Sequence, residues 1–477
     1  MLRIYPMSSE STQSPLWRYA PLLAIAALLV WHSLQYNFVT DDAYISFVFS
    51  ENFAEHGQLL FNHGHPPVEG YTNFLWTFLL GLLLLVGLPP EIMSLVLGTA
   101  FAAGTLLIAL RTVEYIWGEE DIGGDQSYWR FLAPLLLAMS SGFACWTSGG
   151  LETQMFTFFV SSALYLYLRA DESPRFYRLL GVALALAAMT RPEGLLVTAV
   201  VGVHRLALNL ILDRRLRPTR RELECMGLFL LVWAPWFTWR FWYYGHLFPN
   251  TYYVKAAGAT SAGYTEKMHA NGLHYVLQWL RQSTLLYMAP LVVMGLVPAL
   301  HSLVSSALFA LLPIEKLQLP QVAQKRGFVY GSLALVLSTV YLLYVMRVGG
   351  DFMGLHRFVM PIFVIAAIGF AMGLRTLVMQ ISQARVRQVV SAVALVSCLA
   401  LFGYSQLSLT RESLRWGNWK SDRGIDTPAY LATYAHDRKL IGEHMRSCFR
   451  DDDFSIFGGV GAKPYHAKAK GIDVFGL

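Results

Sequence analysis

The run Phe74-Leu-Trp-Thr-Phe-Leu-Leu-Gly-Leu-Leu-Leu-Leu-Val-Gly-Leu88 decides how the whole chain is laid out. At 1.5 Å per residue its about 15 residues reach only about 22 Å, short of the roughly 30 Å hydrocarbon core. If the run crosses the bilayer, every arginine-rich loop downstream faces outward. If it does not, the loops with Arg169, Arg175 and Arg178, with Arg205, Arg214, Arg215, Arg217, Arg220 and Arg221, with Lys316, Lys325 and Arg326, and with Arg375, Arg385 and Arg387 share the cytoplasmic side with the N-terminus. The positive-inside rule selects the second layout. The acidic residues Glu119, Glu120, Asp121 and Asp125 in one cytoplasmic loop weigh little in that rule.

Composition sets the class. Of 477 residues, 55% are hydrophobic and 14% charged, against a usual charged share of about 25%, and the mean hydropathy is +0.43. A polytopic membrane protein follows, all-α, with about eleven spanning helices centred near 17–37, 91–117, 131–148, 154–168, 178–190, 194–212, 226–244, 285–312, 328–346, 358–378 and 388–405. The net charge of +6 sits in short basic runs between apolar segments, which excludes a nucleic-acid reading. Cys145, Cys225, Cys398 and Cys448 are scattered, without the spacing of a zinc site or a disulfide framework. The first apolar segment follows Arg3 and Arg18 and has no clear cleavage site, so it reads as a retained anchor. Residues 1–405 form the membrane module, with a first outer loop over about 38–90, and 406–477 a C-terminal outer domain.

Five polar stretches fall on the outer side of this layout. They are Asp41-Asp42 with the loop to Tyr71-Thr-Asn73, Gly149-Gly-Leu-Glu152-Thr153, Thr190-Arg-Pro-Glu193-Gly194, Phe248-Pro-Asn250-Thr-Tyr252-Tyr-Val-Lys255, and Gly349-Gly-Asp351 with His356-Arg357-Phe358. Such segregation points to one shared site. Asp42 to about Glu55 reads as a helix with a greasy side of Ile45, Phe47, Val48, Phe49 and Phe53, stopped by Gly57 and suited to the membrane surface. A carboxylate there can take the proton of an attacking hydroxyl, worth about 10²–10⁴-fold. A second one beside it can hold sugar hydroxyls or a divalent cation, and raises the first one's pKa. Asp42 also has the place of an N-cap. Metal dependence stays open: His56, His63 and His65 read as interfacial residues or as metal ligands. Arg191, Lys255 and Arg357 at three helix ends suit an anionic phosphate, or snorkel to lipid head groups. Glu69, Tyr71, Asn73, Glu152, Glu193, Asn250, Tyr252, Asp351 and His356 are candidate substrate ligands, with Glu152 and Glu193 equally suited to pairing with the cations.

Taken in order, Asp41-Asp-Ala-Tyr-Ile-Ser-Phe47, Val68-Glu-Gly-Tyr-Thr-Asn73, Gly150-Leu-Glu-Thr153, Arg191-Pro-Glu-Gly194, Phe248 to Lys255, and Gly349-Gly-Asp-Phe352 with His356-Arg-Phe358 resemble the GT-C integral-membrane glycosyltransferases. They are most similar to the mycobacterial terminal arabinofuranosyltransferase family. The resemblance implies transfer of a sugar, arabinofuranose in that branch, from a polyprenyl-phosphate donor to an acceptor outside the bacterial inner membrane. Cell-envelope glycan, lipopolysaccharide, or pilin or another protein would serve as acceptor. It implies Asp41 or Asp42 as base, and donor-phosphate and acceptor sites in the later loops. The outer C-terminal segment is shorter than the family's usual one, so the member is short or the chain truncated. A transporter or flippase of lipid-linked sugars is the alternative, and would place ionisable groups near mid-membrane and repeat itself in two matching halves; neither feature is legible. A lipid-linked phosphotransferase and a non-catalytic assembly protein complete the alternatives.

Overall fold

In the computed structural model, which describes residues 19–118, 127–253, 262–296, 322–379, 381, 383–415, 425–450 and 453–474, nearly every element is a helix. The apolar runs become α1 (Ala20–Leu34), α4 (Pro90–Trp117), α5 (Leu132–Met139) with α6 (Ser141–Ser148), α7 (Thr153–Arg169), α8 (Pro174–Thr190), α9 (Glu193–Asp213), α10 (Arg220–Tyr244), α12 (Leu285–Leu296), α13 (Val322–Arg347), α14 (Met360–Met379) and α15 (Ala384–Ser413). Between them lie α2 (Asp41–His56), α3 (Phe74–Leu85) and α11 (Ala262–Gln282). Five helices, α4, α9, α13, α14 and α15, are each long and apolar enough to cross a membrane, and the pair α5–α6, bent by 60°, makes a sixth. The protein is a multi-pass membrane protein. The decisive run Phe74–Leu88 becomes the 12-residue α3, about 18 Å long, too short to cross.

Helix α14 is buried along most of its length, and its Gly369 and Gly373 present bare backbone to α12. A Cβ at Gly295 or Gly373 would collide with the facing main chain, so the two helices touch as closely as small-residue spacing allows in membranes. The two ends of the bundle differ in charge. At one end Arg205 Nε donates to Glu222 Oε1 at 2.7 Å and its Nη2 to Asp171 Oδ1 at 2.7 Å, Arg130 pairs with Glu114 at 3.0 Å, and Arg326 Nη1 donates to the Tyr115 carbonyl at 3.0 Å. These are the termini that the positive-inside rule groups together. The opposite end carries α2, α3 and the polar stretches.

Helix α2 corrects two expectations. Its N-cap is Thr40 rather than Asp42, and both aspartates lie in the first turn, where carboxylates meet the positive end of the helix dipole. Nor does it have a single greasy side: Phe49 packs at 4.7 Å on Tyr71, while Phe47 and Tyr44 pack at 6.1 and 5.1 Å on Tyr465. Protein therefore covers it on both flanks. Gly57, at φ +69°, ends it as read.

After α15 come α16 (Pro428–Arg446), β1 (Phe454–Phe457), α17 (Ala462–Ala467) and β2 (Lys470–Asp473). The strands pair in parallel, Phe454 opposite Lys470 and Phe457 opposite Asp473. This lobe is stitched to the first loop, because Asn62 exchanges two 2.9 Å hydrogen bonds with the backbone of Gly471.

Candidate functional site

The Gly149-Gly150 turn seats the start of α2. Thr40 N donates to Gly149 O at 3.2 Å, Trp76 Nε1 donates to Gly150 O at 3.2 Å, and Gly150 takes φ +81°. A side chain at Gly150 would also meet Val39 Cγ1 at 2.8 Å.

From this turn a buried charge network runs across three helix ends. Asn73 Nδ2 donates to Glu152 Oε2 at 2.8 Å, and Asn73 Oδ1 accepts from Ser46 Oγ and Thr77 Oγ1 at 3.1 Å each. Arg191 Nη1 donates to Glu152 Oε1 at 3.1 Å, while its Nε and Nη2 donate to Glu193 at 3.3 and 3.2 Å. Tyr344 adds a bond to Glu193 at 3.4 Å. Two carboxylates thus surround one guanidinium. Phe358 stacks on it, its ring centre 4.4 Å from Arg191 Cζ and 5.4 Å from Arg357 Cζ, and Arg357 pairs through Nε with Asp351.

The loop carrying Asp351 is held by Trp146, whose Nε1 donates to Gly354 O at 3.1 Å. Leu355 and His356 adopt φ of +56° and +58°, a conformation that costs non-glycine residues energy and clusters at functional sites. His356 is buried against Tyr275, with ring centres 4.7 Å apart, and Nε2 lies 3.3 Å from Gln278 Oε1. Burial first, and the nearby His274 second, push its pKa down to about 3, so it is neutral.

Glu69 and Asn250 form a second group. Arg240, in the last turns of α10, donates from Nε to Glu69 Oε1 at 2.8 Å and from Nη1 to Leu247 O at 2.9 Å, and Asn250 N donates to Glu69 O at 3.1 Å. Tyr71 is fully enclosed and shares a 3.0 Å hydrogen bond with Tyr244. Tyr252 is exposed and lies against Phe248 at 4.5 Å. Lys255 lies outside the described residues.

Asp41 and Asp42 are half-buried at the mouth of this end. Asp41 Oδ1 accepts from Ala462 N at 2.8 Å. Burial raises the Asp41 pKa above the usual carboxylate range, against the pull of that amide and of the positive Arg438 and Lys463. Burial, rather than the adjacent carboxylate, is the main cause. His56 and His63 stack at 3.8 Å and His65 lies 5.2 Å from Phe454. Among the described residues no three His, Cys, Asp or Glu side chains gather as a metal site.

The structure thus brings Asn73, Glu152, Arg191 and Glu193 into one network and sets Asp351, Arg357 and His356 against it, while Glu69 and Asn250 form a separate clamp. Sequence reasoning missed Arg240, Arg438 and Lys463. A lone cation in Trp239-Arg-Phe-Trp-Tyr-Tyr244 was a legible signal for the first; the other two sit in mixed polar sequence that carries none.

Architecture of this kind is found in solved membrane proteins. ArnT from Cupriavidus metallidurans, solved bound to undecaprenyl phosphate, superposes with TM-score 0.56 at 13% identity, over 96% of this chain and 86% of that one. The apo oligosaccharyltransferase of Archaeoglobus fulgidus gives TM-score 0.57 at 10% identity, over 96% of this chain and 65% of that one. The fold is GT-C. No family model and no curated protein matches the sequence, so the likeness lies in the architecture alone. In this GT-C bundle the acidic pair rides on the first loop, at the end opposite the arginine-rich loops.

Proposed function

We propose that the protein is a membrane glycosyltransferase that moves a sugar from a polyprenyl-phosphate carrier to an acceptor outside the cytoplasmic membrane. The observation that carries this reading is α2: a GT-C bundle holds two half-buried carboxylates on its first loop, next to a rim whose other acids are tied to arginines. Asp41 and Asp42 then supply the base for the acceptor hydroxyl. A paired acid is a poor proton acceptor, so Glu152, Glu193 and Asp351 serve better as the rigid frame that fixes where the donor lies. Their remaining lone pairs and the buried, unpartnered hydroxyls of Thr40 and Thr153 suit sugar hydroxyls.

The carrier class is supported by the undecaprenyl phosphate bound to ArnT. The bacterial inner membrane, with the site on its outer face, is supported by the arginine-rich opposite end. Arabinofuranose is the sugar that the motif resemblance favours, and a cell-envelope glycan, lipopolysaccharide or pilin-like protein the acceptor. Purified protein in liposomes with a radiolabelled polyprenyl-phosphate sugar tests the reading. Donor consumption, with the lipid phosphate left in the membrane, supports a transferase; movement of intact donor across the bilayer would instead identify a flippase.

A further inference from the structure

A lipid phosphate needs an opposite charge, and among the described residues Arg191, Arg357 and Arg240 are already answered by carboxylates. Arg191 meets two carboxylates and Arg357 one. The C-terminal lobe carries two further cations to the acidic pair. Its seat on α2 is tight: a Cβ at Gly461 would stand 2.6 Å from Asp41 Cγ and nearer still to the Asp41 carbonyl oxygen. This contact aims Ala462 N at Asp41 Oδ1 and places the neighbouring Lys463 beside the carboxylate.

Helix α16 packs on α17 and adds Arg438 and Tyr434. The space above Gly459 shows where they converge. A Cβ there would lie 3.1 Å from Tyr434 Oη, 3.6 Å from Arg438 Nε and 3.6 Å from Asp41 Oδ2. The Arg438 guanidinium rests on the Tyr434 ring at 3.1 Å, and its Nε is buried with no hydrogen-bond partner. Lys463 makes no hydrogen bond or ion pair among the described residues; its ammonium lies 6.0 Å from the Phe457 ring. Two cations, Arg438 and Lys463, thus stand beside the acidic pair of α2.

We propose that Arg438, with Lys463 beside it, grips the phosphate of the lipid-linked donor and holds it next to the α2 aspartates. A guanidinium stacked on an aromatic ring is pre-set to offer its fork to phosphate oxygens. The C-terminal lobe is then part of the reacting site. This assignment rests on the transferase reading above.

The test is binding of undecaprenyl phosphate to the full chain in detergent micelles, with uncharged undecaprenol as reference. Wild-type protein prefers the phosphorylated lipid. Arg438→Gln loses about tenfold to a hundredfold in affinity for it, with undecaprenol binding unchanged. Arg438→Lys, which keeps the charge without the fork, falls between. Lys439→Gln, at a surface residue paired with Glu443 at 3.8 Å, behaves as wild type. Unchanged thermal midpoints and elution volumes show that the variants fold. Wild-type affinity in Arg438→Gln, or an equal loss in Lys439→Gln, overturns the grip and leaves the transferase reading standing. A wild type without preference for the phosphorylated lipid overturns both.

Discussion

Arg240 and Glu69 form a closed ion pair, each under 6% exposed, that ties the end of α10 to the turn returning from the first loop. Both partners are fully committed: Arg240 also holds the Leu247 carbonyl, and the Glu69 main chain holds Asn250 N. Removing one partner strands a buried charge, which costs about 3–5 kcal/mol, whereas replacing both by apolar groups is often neutral. Arg240→Met should therefore lower the thermal midpoint in detergent sharply, and Arg240→Met with Glu69→Leu should recover most of it. A double variant as unstable as the single would show that the pair does more than satisfy itself. The segment 246–253 should become protease-sensitive in the single variant, because its anchor is lost.

The Arg191 cluster answers to the same physics, with two carboxylates in place of one around the arginine. Arg191→Met leaves Glu152 and Glu193 buried without their shared cation, and one of them would have to take up a proton. The variant should be destabilised by about 3–5 kcal/mol at neutral pH. Its deficit should shrink as pH falls, since protonation discharges the acids, and Glu152→Gln/Glu193→Gln in the same background should restore much of the loss. A thermal midpoint of Arg191→Met that tracks wild type from pH 5 to pH 8 would contradict this account.

How far the sequence told this story depends on the kind of signal. The spanning helices, the short α3 and the stop at Gly57 were legible because apolar length and glycine's backbone freedom are local properties. The convergence of Asp41, Glu152, Arg191 and Arg357 on one end was legible too, since loop polarity and the basic loops divide the chain into two sides. Pairing was not. Nothing in Arg191-Pro-Glu193 says that this arginine also reaches Glu152, 39 residues earlier, and nothing around Gly461 announces that its amide neighbour meets Asp41, 421 residues away. Such contacts arise from tertiary packing, and they decide which charges are spent on structure.

Gly150 tests the seat of α2. Its φ of +81° disfavours any L side chain, and the space is taken by Val39 and Ala43, at 2.8 and 3.0 Å from an added Cβ. Gly150→Ala should cost about 1–2 kcal/mol from backbone strain alone, and more through displacement of α2. Turnover should fall further than the stability loss explains, because the aspartates move with that helix. Wild-type activity in a folded Gly150→Ala protein would show that the position of α2 is not critical.

The acidic pair itself is tested by pH. A general base works deprotonated, so turnover must fall as pH drops through its pKa, and burial sets the Asp41 value above the ordinary carboxylate range. Arg438, Lys463 and the Ala462 amide oppose that rise, so removing a cation must move the acid limb of the rate profile to higher pH. Arg438→Gln and Lys463→Gln should each retain measurable turnover with the limb shifted upward, measured with radiolabelled donor in liposomes at saturating concentration. Asp41→Asn/Asp42→Asn should lower turnover by about 10²–10⁴-fold on the plateau above the acid limb, and by less below it, while leaving the thermal midpoint near wild type. If the limb stays fixed in both cation variants, Asp41 is not the titrating base, and the single variants Asp41→Asn and Asp42→Asn then decide whether Asp42 carries the role: only the loss of the true base abolishes the limb along with the rate.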